Sequence, residues 1–583
     1  MSQQNNVIAF EPRPRAKSPE PLLSVRGLTI AAADGRELVR DVSFDLPQRG
    51  SLGIVGESGS GKSLTCRAIA GALPPGLKIV SGTMRFRGSD LAALQPRQWQ
   101  PLRGVELGVV FQDPGSYLNP SIAIGAQLVE ALRAVLPLSR LDARAGAMRL
   151  LARVGFTEPA VVFGQYPFEL SGGMVQRALI AVAVCADPSL LIADEATTAL
   201  DVTVQAEVLN LIADLRRERQ VGLLMVSHDL AVVSQVCDQV VVMRDGAVVE
   251  SGPTTEALRR PRHDYTRRLI DTHDLYGLGS PAAAQPTMVA AQPDTARAAQ
   301  PGAAPLLSIS DLHVGYGPRP ILRGIDLEVR RGEIVGLIGE TGSGKTTLLR
   351  AVLGVGRPTR GSIVLDGEPI AGAKARQLRD LRRTNRLQYV FQDPLRSLDP
   401  DLTIAESVGE GLDIQGGIHP RERLLRVATA LEAVGLDPAL ARRRPAVLSG
   451  GQRQRAVIAR ALVLDPLLLL LDEPVSALDA VHRAQVLRLL KRLAEERGLA
   501  QVFISHDLGS VAGIADRIAV LHRGTIVETG PAAQLLTSPR HPYTRALIEA
   551  APRLALADGE APRAAARAHT PDQRAPATEV LTA

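Results

Sequence analysis

At 583 residues the chain exceeds one ordinary hydrophobic core, which points to two domains of a few hundred residues each. Its 45% hydrophobic and 22% charged content is that of a globular protein, not a disordered or fibrous one. A net charge of +6 spread over this length lacks the basic footprint of a nucleic-acid binder, so no such partner is expected.

The opening stretch, MSQQNNVIAFEPRPRAKSPEP, has no continuous apolar core of a signal peptide and reads as a tail over 1–21. No run of about 20 apolar residues follows anywhere, so any work at a membrane is expected to go through partners. A first domain is expected over 22–275. Within it the apolar run SLGIVG leads into GESGSGKS at 56–63, a full match to G-x-x-x-x-G-K-[ST]. The glycines let backbone N–H groups wrap a β-phosphate at a helix N-terminus, Lys62 reaches the β/γ oxygens, and Ser63 ligates Mg²⁺. Candidate nucleotide contacts are Gly56, Glu57, Ser58, Gly59, Ser60, Gly61, Lys62 and Ser63. Lysine is scarce in this arginine-rich chain, which makes the placement of Lys62 more telling. Gln112 follows an apolar run in VVFQDP, and residues around 115–165 carry a helical pattern without strands. LSGGM follows at 170–174, where Ser171, Gly172 and Gly173 form a turn whose backbone can approach a phosphate. LLIADE then ends an apolar strand in Asp194, suited to Mg²⁺, and Glu195, suited to orienting the attacking water. GLLMVSHD places His228 at the end of a third strand, as a γ-phosphate contact. The three cysteines, Cys66, Cys185 and Cys237, have no paired spacing, which argues against disulfides and zinc.

A linker rich in Ala and Pro, LGSPAAAQPTMVAAQPDTARAAQPGAAP, marks a tether over 276–304. Everything then recurs in a second domain over 305–552, before a tail-like stretch at 553–583. Ser171 and Ser449, Asp194 and Asp472, His228 and His506, and Tyr265 and Tyr543 each stand 278 residues apart, whereas Lys62 and Lys345 stand 283 apart. So long a period means duplicated domains, not a solenoid. The second set comprises Gly339, Glu340, Thr341, Gly342, Ser343, Gly344, Lys345, Thr346 and Thr347, then Gln392, a helical segment around 395–445, and Ser449, Gly450, Gly451 and Gln452. Asp472, Glu473 and His506 complete it. Apolar β-type runs alternating with helical stretches indicate buried parallel strands of an α/β fold, with ligand residues at the strands' C-terminal ends.

The set of glycine loop, FQDP, LSGG, strand-DE, ALD and SHD resembles the ATP-binding cassette (ABC) ATPases, twice over, across nearly the whole chain outside tails and linker. That resemblance implies an α/β fold of two tandem P-loop NTPase domains. Each would have a RecA-like parallel-sheet core, an antiparallel β subdomain and a helical subdomain. It implies ATP and Mg²⁺ as cofactors, with Ser63, Gln112 and Asp194, and Thr346, Gln392 and Asp472, around the metal. Glu195, His228 and Gln112, and Glu473, His506 and Gln392, would serve hydrolysis. In this family two cassettes pack head to tail. Ser171 and Gly173 would then meet the nucleotide on Lys345, and Ser449 and Gly451 the one on Lys62. Ala199–Asp201 and Ala477–Asp479 would cross the same interface. Tyr316, in VGYGPRPIL, is placed to stack on adenine; matching LRGI (322–325) to VRDV (39–42) sets Ala33 opposite it.

DEATTALDVTVQAEVL, QDPGSYLNP, QDPLRSLDP, and above all PRHDYTRRLI (261–270) and PRHPYTRALI (539–548), resemble the dipeptide/oligopeptide/nickel subfamily of ABC importers. This implies two membrane permease subunits, an extracytoplasmic solute-binding protein behind them, and a peripheral place on the cytoplasmic face of the inner membrane. No cysteine follows Cys237, so an iron–sulfur centre seen in some members is not supported. Met174 stands where Gln is commoner after LSGG, and Asp264 where the second half has Pro542. A tandem-cassette ATPase acting on ribosomes is the alternative; the Ala/Pro linker, in place of a long charged helix, argues against it.

Overall fold

The structure, a computed structural model, describes residues 20–112, 114–197, 200–276, 304–317, 319–373, 376–379, 386–476 and 478–554. The expected tails (1–21 and 553–583) and linker (276–304) fall almost wholly outside these residues, as do Ala199 and Ala477.

The apolar runs fold as strands. The first half contains β1 (Leu23–Ala32), β2 (Glu37–Leu46), β3 (Ser51–Gly56), β4 (Leu77–Phe86), β5 (Ser89–Asp90), β6 (Leu107–Val110), β7 (Leu190–Asp194), β8 (Gly222–Ser227), β9 (Gln239–Arg244) and β10 (Ala247–Pro253). The second contains β11 (Leu307–Tyr316), β12 (Arg319–Val329), β13 (Ile334–Ile338), β14 (Arg360–Leu365), β15 (Glu368–Pro369), β16 (Leu387–Val390), β17 (Leu468–Asp472), β18 (Ala500–Ile504), β19 (Arg517–His522) and β20 (Thr525–Pro531).

Each half carries a six-stranded sheet, ordered β10-β9-β3-β8-β7-β6 in the first and β16-β17-β18-β13-β19-β20 in the second. Both are parallel except for the antiparallel edge pairs β9–β10 and β19–β20. Every residue of β3, β7, β8, β13, β17 and β18 is buried. Strands covered on both faces need apolar residues at every position, which is why they read as runs and not alternations. A four-stranded antiparallel sheet, β2-β1-β4-β5 or β12-β11-β14-β15, packs on one face. In β3 the alternation of side chains divides the core. Leu52 and Ile54 join Leu23 and Val42 of the small sheet, while Val55 turns to the helical side.

Between β6 and β7 the helices Ile124–Val135 and Arg140–Arg153 form the insert expected around 115–165. Ile404–Gln415 and Pro420–Ala433 form the one expected around 395–445. The unequal spacing of the halves arises largely in the small sheets, where β4 has ten residues and β14 six.

The two β1–β2 and β11–β12 hairpin turns differ in length. The hairpin ladder pairs Tyr316 with Arg319, and in the first half the Ala32 N–H donates to the Arg36 carbonyl. Tyr316 is therefore matched by Ala32 and not by Ala33, because the first turn is one residue longer.

The halves are in direct contact. Val202 of the first half is buried within the second half's core, and Ala480 and Val481 pack against the first half's core. Among the described residues, no helix is long and apolar enough to cross a membrane.

Candidate active site

Both glycine loops turn from the end of a central strand into a helix, Lys62–Ile69 or Lys345–Val352. The residue before each lysine must be glycine: Gly61 and Gly344 cap these helices at φ of 93° and 111°, where a side chain is strained. Lys62 Nζ donates to the carbonyls of Gly56 (2.8 Å) and Glu57 (2.7 Å). Lys345 Nζ does the same to Gly339 (2.7 Å) and Glu340 (2.9 Å). Burial holds both ammonium groups below the usual lysine range, against the pull of nearby carboxylates. Such a cation is stabilised by any anion brought into the loop.

Beside each lysine lies a strand-end carboxylate. Ser63 Oγ donates to Asp194 Oδ1 (2.8 Å), and Thr346 Oγ1 to Asp472 Oδ2 (3.3 Å). Burial pushes the pKa of both carboxyls up. Asp194 Oδ2 is buried with no protein hydrogen-bond partner. A buried hydroxyl–carboxylate pair with an orphaned oxygen fits Mg²⁺, a hard cation that takes oxygen ligands and would repay the desolvation of the carboxylate.

The next residue carries strain. Glu195 and Glu473 both have φ of 49°, a region rarely occupied by residues with side chains. Each is pinned there by an N–H bond of 3.0 Å to the adjacent strand, at Val226 O and Ile504 O. The turn aims each carboxylate at two further predicted residues. Gln112 Nε2 donates to Glu195 Oε2 (2.8 Å) and Gln392 Nε2 to Glu473 Oε2 (2.9 Å). His228 Nδ1 lies 3.7 Å from Glu195, and His506 Nδ1 lies 3.0 Å from Glu473. In each half, then, one cluster gathers the residues singled out in the loop, FQDP, strand-DE and SHD elements.

Ser171 and Ser449 stand at helix N-caps, accepting from Met174 N (3.4 Å) and Gln452 N (3.2 Å). Gln452 also accepts from the Ser449 N–H, completing a reciprocal cap. Gly173 leaves no room for a side chain because Val204 lies against it; His482 does the same to Gly451. Those neighbours belong to the helices Val202–Arg219 and Ala480–Arg497, whose beginnings reach the opposite half. Asp479, the cap of the second, accepts from Ser58 N of the first glycine loop (3.4 Å). Thr203 Oγ1 donates to Glu340 of the second loop (3.4 Å). Each LSGG turn thus packs on a helix whose first residues touch the other half's glycine loop.

Tyr316 is exposed at the end of β11. Two groups escape the sequence reading. Tyr389 donates to Asp472 Oδ2 (2.6 Å), and its only trace in the sequence is the first letter of YVFQDP against VVFQDP. Tyr265 and Tyr543 reach the glycine loops, although their motif reads as a subfamily mark.

The model of the ABC transporter family matches residues 39–198 and 322–476, which hold both glycine loops and both strand-end acid pairs. This chain belongs to the ABC transporter ATP-binding family. It is an ATPase with two fused cassettes. A second model, the C-terminal region of oligopeptide/dipeptide transporters, matches residues 527–576. The peptidoglycan transport ATP-binding protein YejF of Agrobacterium fabrum is 42% identical over 537 residues, covering 91% of this chain and 96% of that protein. The glutathione import ATP-binding protein GsiA of Pectobacterium atrosepticum is 39% identical over 564 residues, covering 91% and 89%. GsiA of Escherichia coli strain K12 is 38% identical over 560 residues with the same coverage.

Proposed function

We infer that this ABC ATPase drives import of peptides or related small solutes, through two permease subunits fed by an extracytoplasmic binding protein, from the cytoplasmic face of the inner membrane. The observation that carries the reading is the pair of composite sites, each glycine loop being touched by the opposite half, in a chain that ends in an oligopeptide/dipeptide-transporter region. Relatives named for glutathione and peptidoglycan transport support a peptide-type cargo.

The residues divide the work as follows. Glycine-loop N–H groups and Lys62 or Lys345 hold the β- and γ-phosphates. Ser63 with Asp194, and Thr346 with Asp472, would hold Mg²⁺, aided by Gln112 and Gln392, and Mg²⁺ held there would supply charge neutralisation to the phosphoryl oxygens. Glu195 and Glu473 orient the attacking water, and His228 and His506 contact the γ-phosphate and steady the glutamates. Ser171 with Gly172 and Gly173, and Ser449 with Gly450, Gly451 and Gln452, close over the nucleotide of the other half. Contacts that exist only while the γ-phosphate is present give ATP the differential affinity for the closed state that a switch requires.

The test is uptake of labelled short peptides by cells carrying the cognate permease, with the wild type and with the Glu195→Gln/Glu473→Gln double variant. Uptake in the first and none in the second is expected. Cosedimentation with ribosomes instead of permease-containing membranes would overturn the reading.

A further inference from the structure

The segments PRHDYT and PRHPYT are built alike, and both end on a glycine loop. Glu250 accepts the N–H groups of Arg262 (2.9 Å) and His263 (3.1 Å), and Glu528 those of Arg540 (2.8 Å) and His541 (3.0 Å). The histidine ring then caps the tyrosine's own N–H, His263 at 3.1 Å and His541 at 3.2 Å. So anchored, Tyr265 accepts a hydrogen bond from Glu57 N (2.9 Å) and Tyr543 from Glu340 N (3.0 Å). Each donor is the second residue of its glycine loop. The rings are covered on one face, Tyr265 by the Arg244 guanidinium at 5.3 Å and Tyr543 by the His522 ring at 3.8 Å. Different covers around the same bond indicate that the bond to the loop, not the cover, is the shared feature.

From each tyrosine a helix runs onto the opposite half. Asp264–Tyr276 lies on Ala480–Arg497, and Pro542–Ala550 on Val202–Arg219. Those partner helices are the ones whose first residues, Asp479 and Thr203, touch the same two loops. Each phenol therefore bonds its loop at, or one residue before, the residue that the other half reaches: Glu57 beside Ser58 in the first loop, and Glu340 itself in the second.

We propose that Tyr265 and Tyr543 are positioning residues for ATP binding, each fixing the second residue of its glycine loop and tying the loop's shape to docking of the opposite half. The proposal rests on the assignment of these loops as the nucleotide sites. Loss of the hydroxyl leaves a partly buried N–H unpaired and frees the start of the loop, while the ring still fills its place.

The experiment titrates a fluorescent ATP analogue into the full chain in the Glu195→Gln/Glu473→Gln background, where nucleotide binds without turnover. Tyr265→Phe is expected to weaken one of the two sites about fivefold and Tyr543→Phe the other, with Tm nearly unchanged. Leu269→Ala, which trims the docked helix and spares the hydroxyl, supplies the packing control. Unaltered affinities in the Tyr265→Phe/Tyr543→Phe double variant would overturn the proposal. So would a loss of affinity that only tracks a fall in Tm, as in the packing control. Lys62→Ala and Lys345→Ala, each expected to abolish one site, isolate the underlying assignment: binding retained in both would refute the sites themselves and the tyrosine role with them.

Discussion

In the first half Asp194 keeps one buried oxygen without a protein partner, whereas Asp472 in the second half shares Oδ2 between the hydroxyls of Tyr389 (2.6 Å) and Thr346 (3.3 Å). The next residue repeats the contrast: His506 lies 3.0 Å from Glu473, and His228 lies 3.7 Å from Glu195. Backbone features agree closely, down to the same φ of 49° at both glutamates. Duplication has thus preserved what the backbone imposes and let the surrounding polar groups diverge. The second carboxylate takes one more hydroxyl than the first, and its neighbouring glutamate sits closer to its histidine.

The sharpest way to break this comparison is at the shared element. Glu195→Gln and Glu473→Gln are each expected to cut hydrolysis at their own site by about 100-fold, and the double variant to bind ATP without turning it over. Steady-state ATPase and nucleotide binding check this; full turnover in the double variant would remove these residues from catalysis.

The His506–Glu473 pair gives the next largest effect. Burial opposes protonation of His506, but the bond to Glu473 and its charge outweigh it, so the histidine pKa stands above its usual value. Burial likewise acts against the Glu473 carboxylate, yet the same bond and the charges of His506 and Lys345 hold its pKa below the usual value. The pair's contribution is complete between the ordinary glutamate and histidine pKa values. It fades as pH rises through the raised His506 pKa, and as pH falls through the lowered Glu473 pKa. Thermal unfolding of the wild type and His506→Gln at about pH 6 is expected to differ by a few degrees, and the difference to shrink towards about pH 9. His228→Gln, at the looser pair, is expected to show a smaller gap; equal gaps would erase the distinction.

How far the sequence carries this picture depends on what the residues must do locally. The strands around Gly56 and Asp194 were legible because double-sided burial demands unbroken apolar runs. The glycine loops were legible because positive φ and close backbone approach admit little but glycine. The antiparallel sheet was implied only by family resemblance, since β1 and β4 meet across about 50 residues and no local pattern records that pairing. Tyr389 was missed for a related reason: its contact with Asp472 spans 83 positions, and a tyrosine in a strand is ordinary. The alignment of Tyr316 slipped by one residue because turn length, not strand pattern, sets hairpin register.

Tyr389→Phe would sharpen the comparison by making the second site resemble the first. Removing the hydroxyl leaves Asp472 Oδ2 accepting from Thr346 alone, so the Mg²⁺ concentration for half-maximal turnover at that site is expected to fall about fivefold. Val109→Tyr, at the matching position of β6, is expected to raise it in the first site. An unchanged requirement in both variants would mean that the phenol does not compete with the metal.

The smallest expected effect concerns adenine. Tyr316 is 55% exposed, so its ring face is free to receive a planar ligand, and the corrected register sets Ala32 at the same place in the first half. IAAADGREL (30–38) contains no aromatic residue to substitute for it. Stacking and the accompanying burial are worth about 1 kcal/mol, several-fold in affinity and far from enough to abolish binding. The Lys345 site is therefore expected to hold ATP more tightly than the Lys62 site, and Tyr316→Ala to close most of that gap. Ala32→Tyr tests the same idea in reverse, by lending the first site a ring. Affinities measured with the other site's lysine mutated decide the matter. Equal values in the wild-type sites, or a gap that survives Tyr316→Ala, would separate the asymmetry from the adenine and leave it with the polar groups around Asp472.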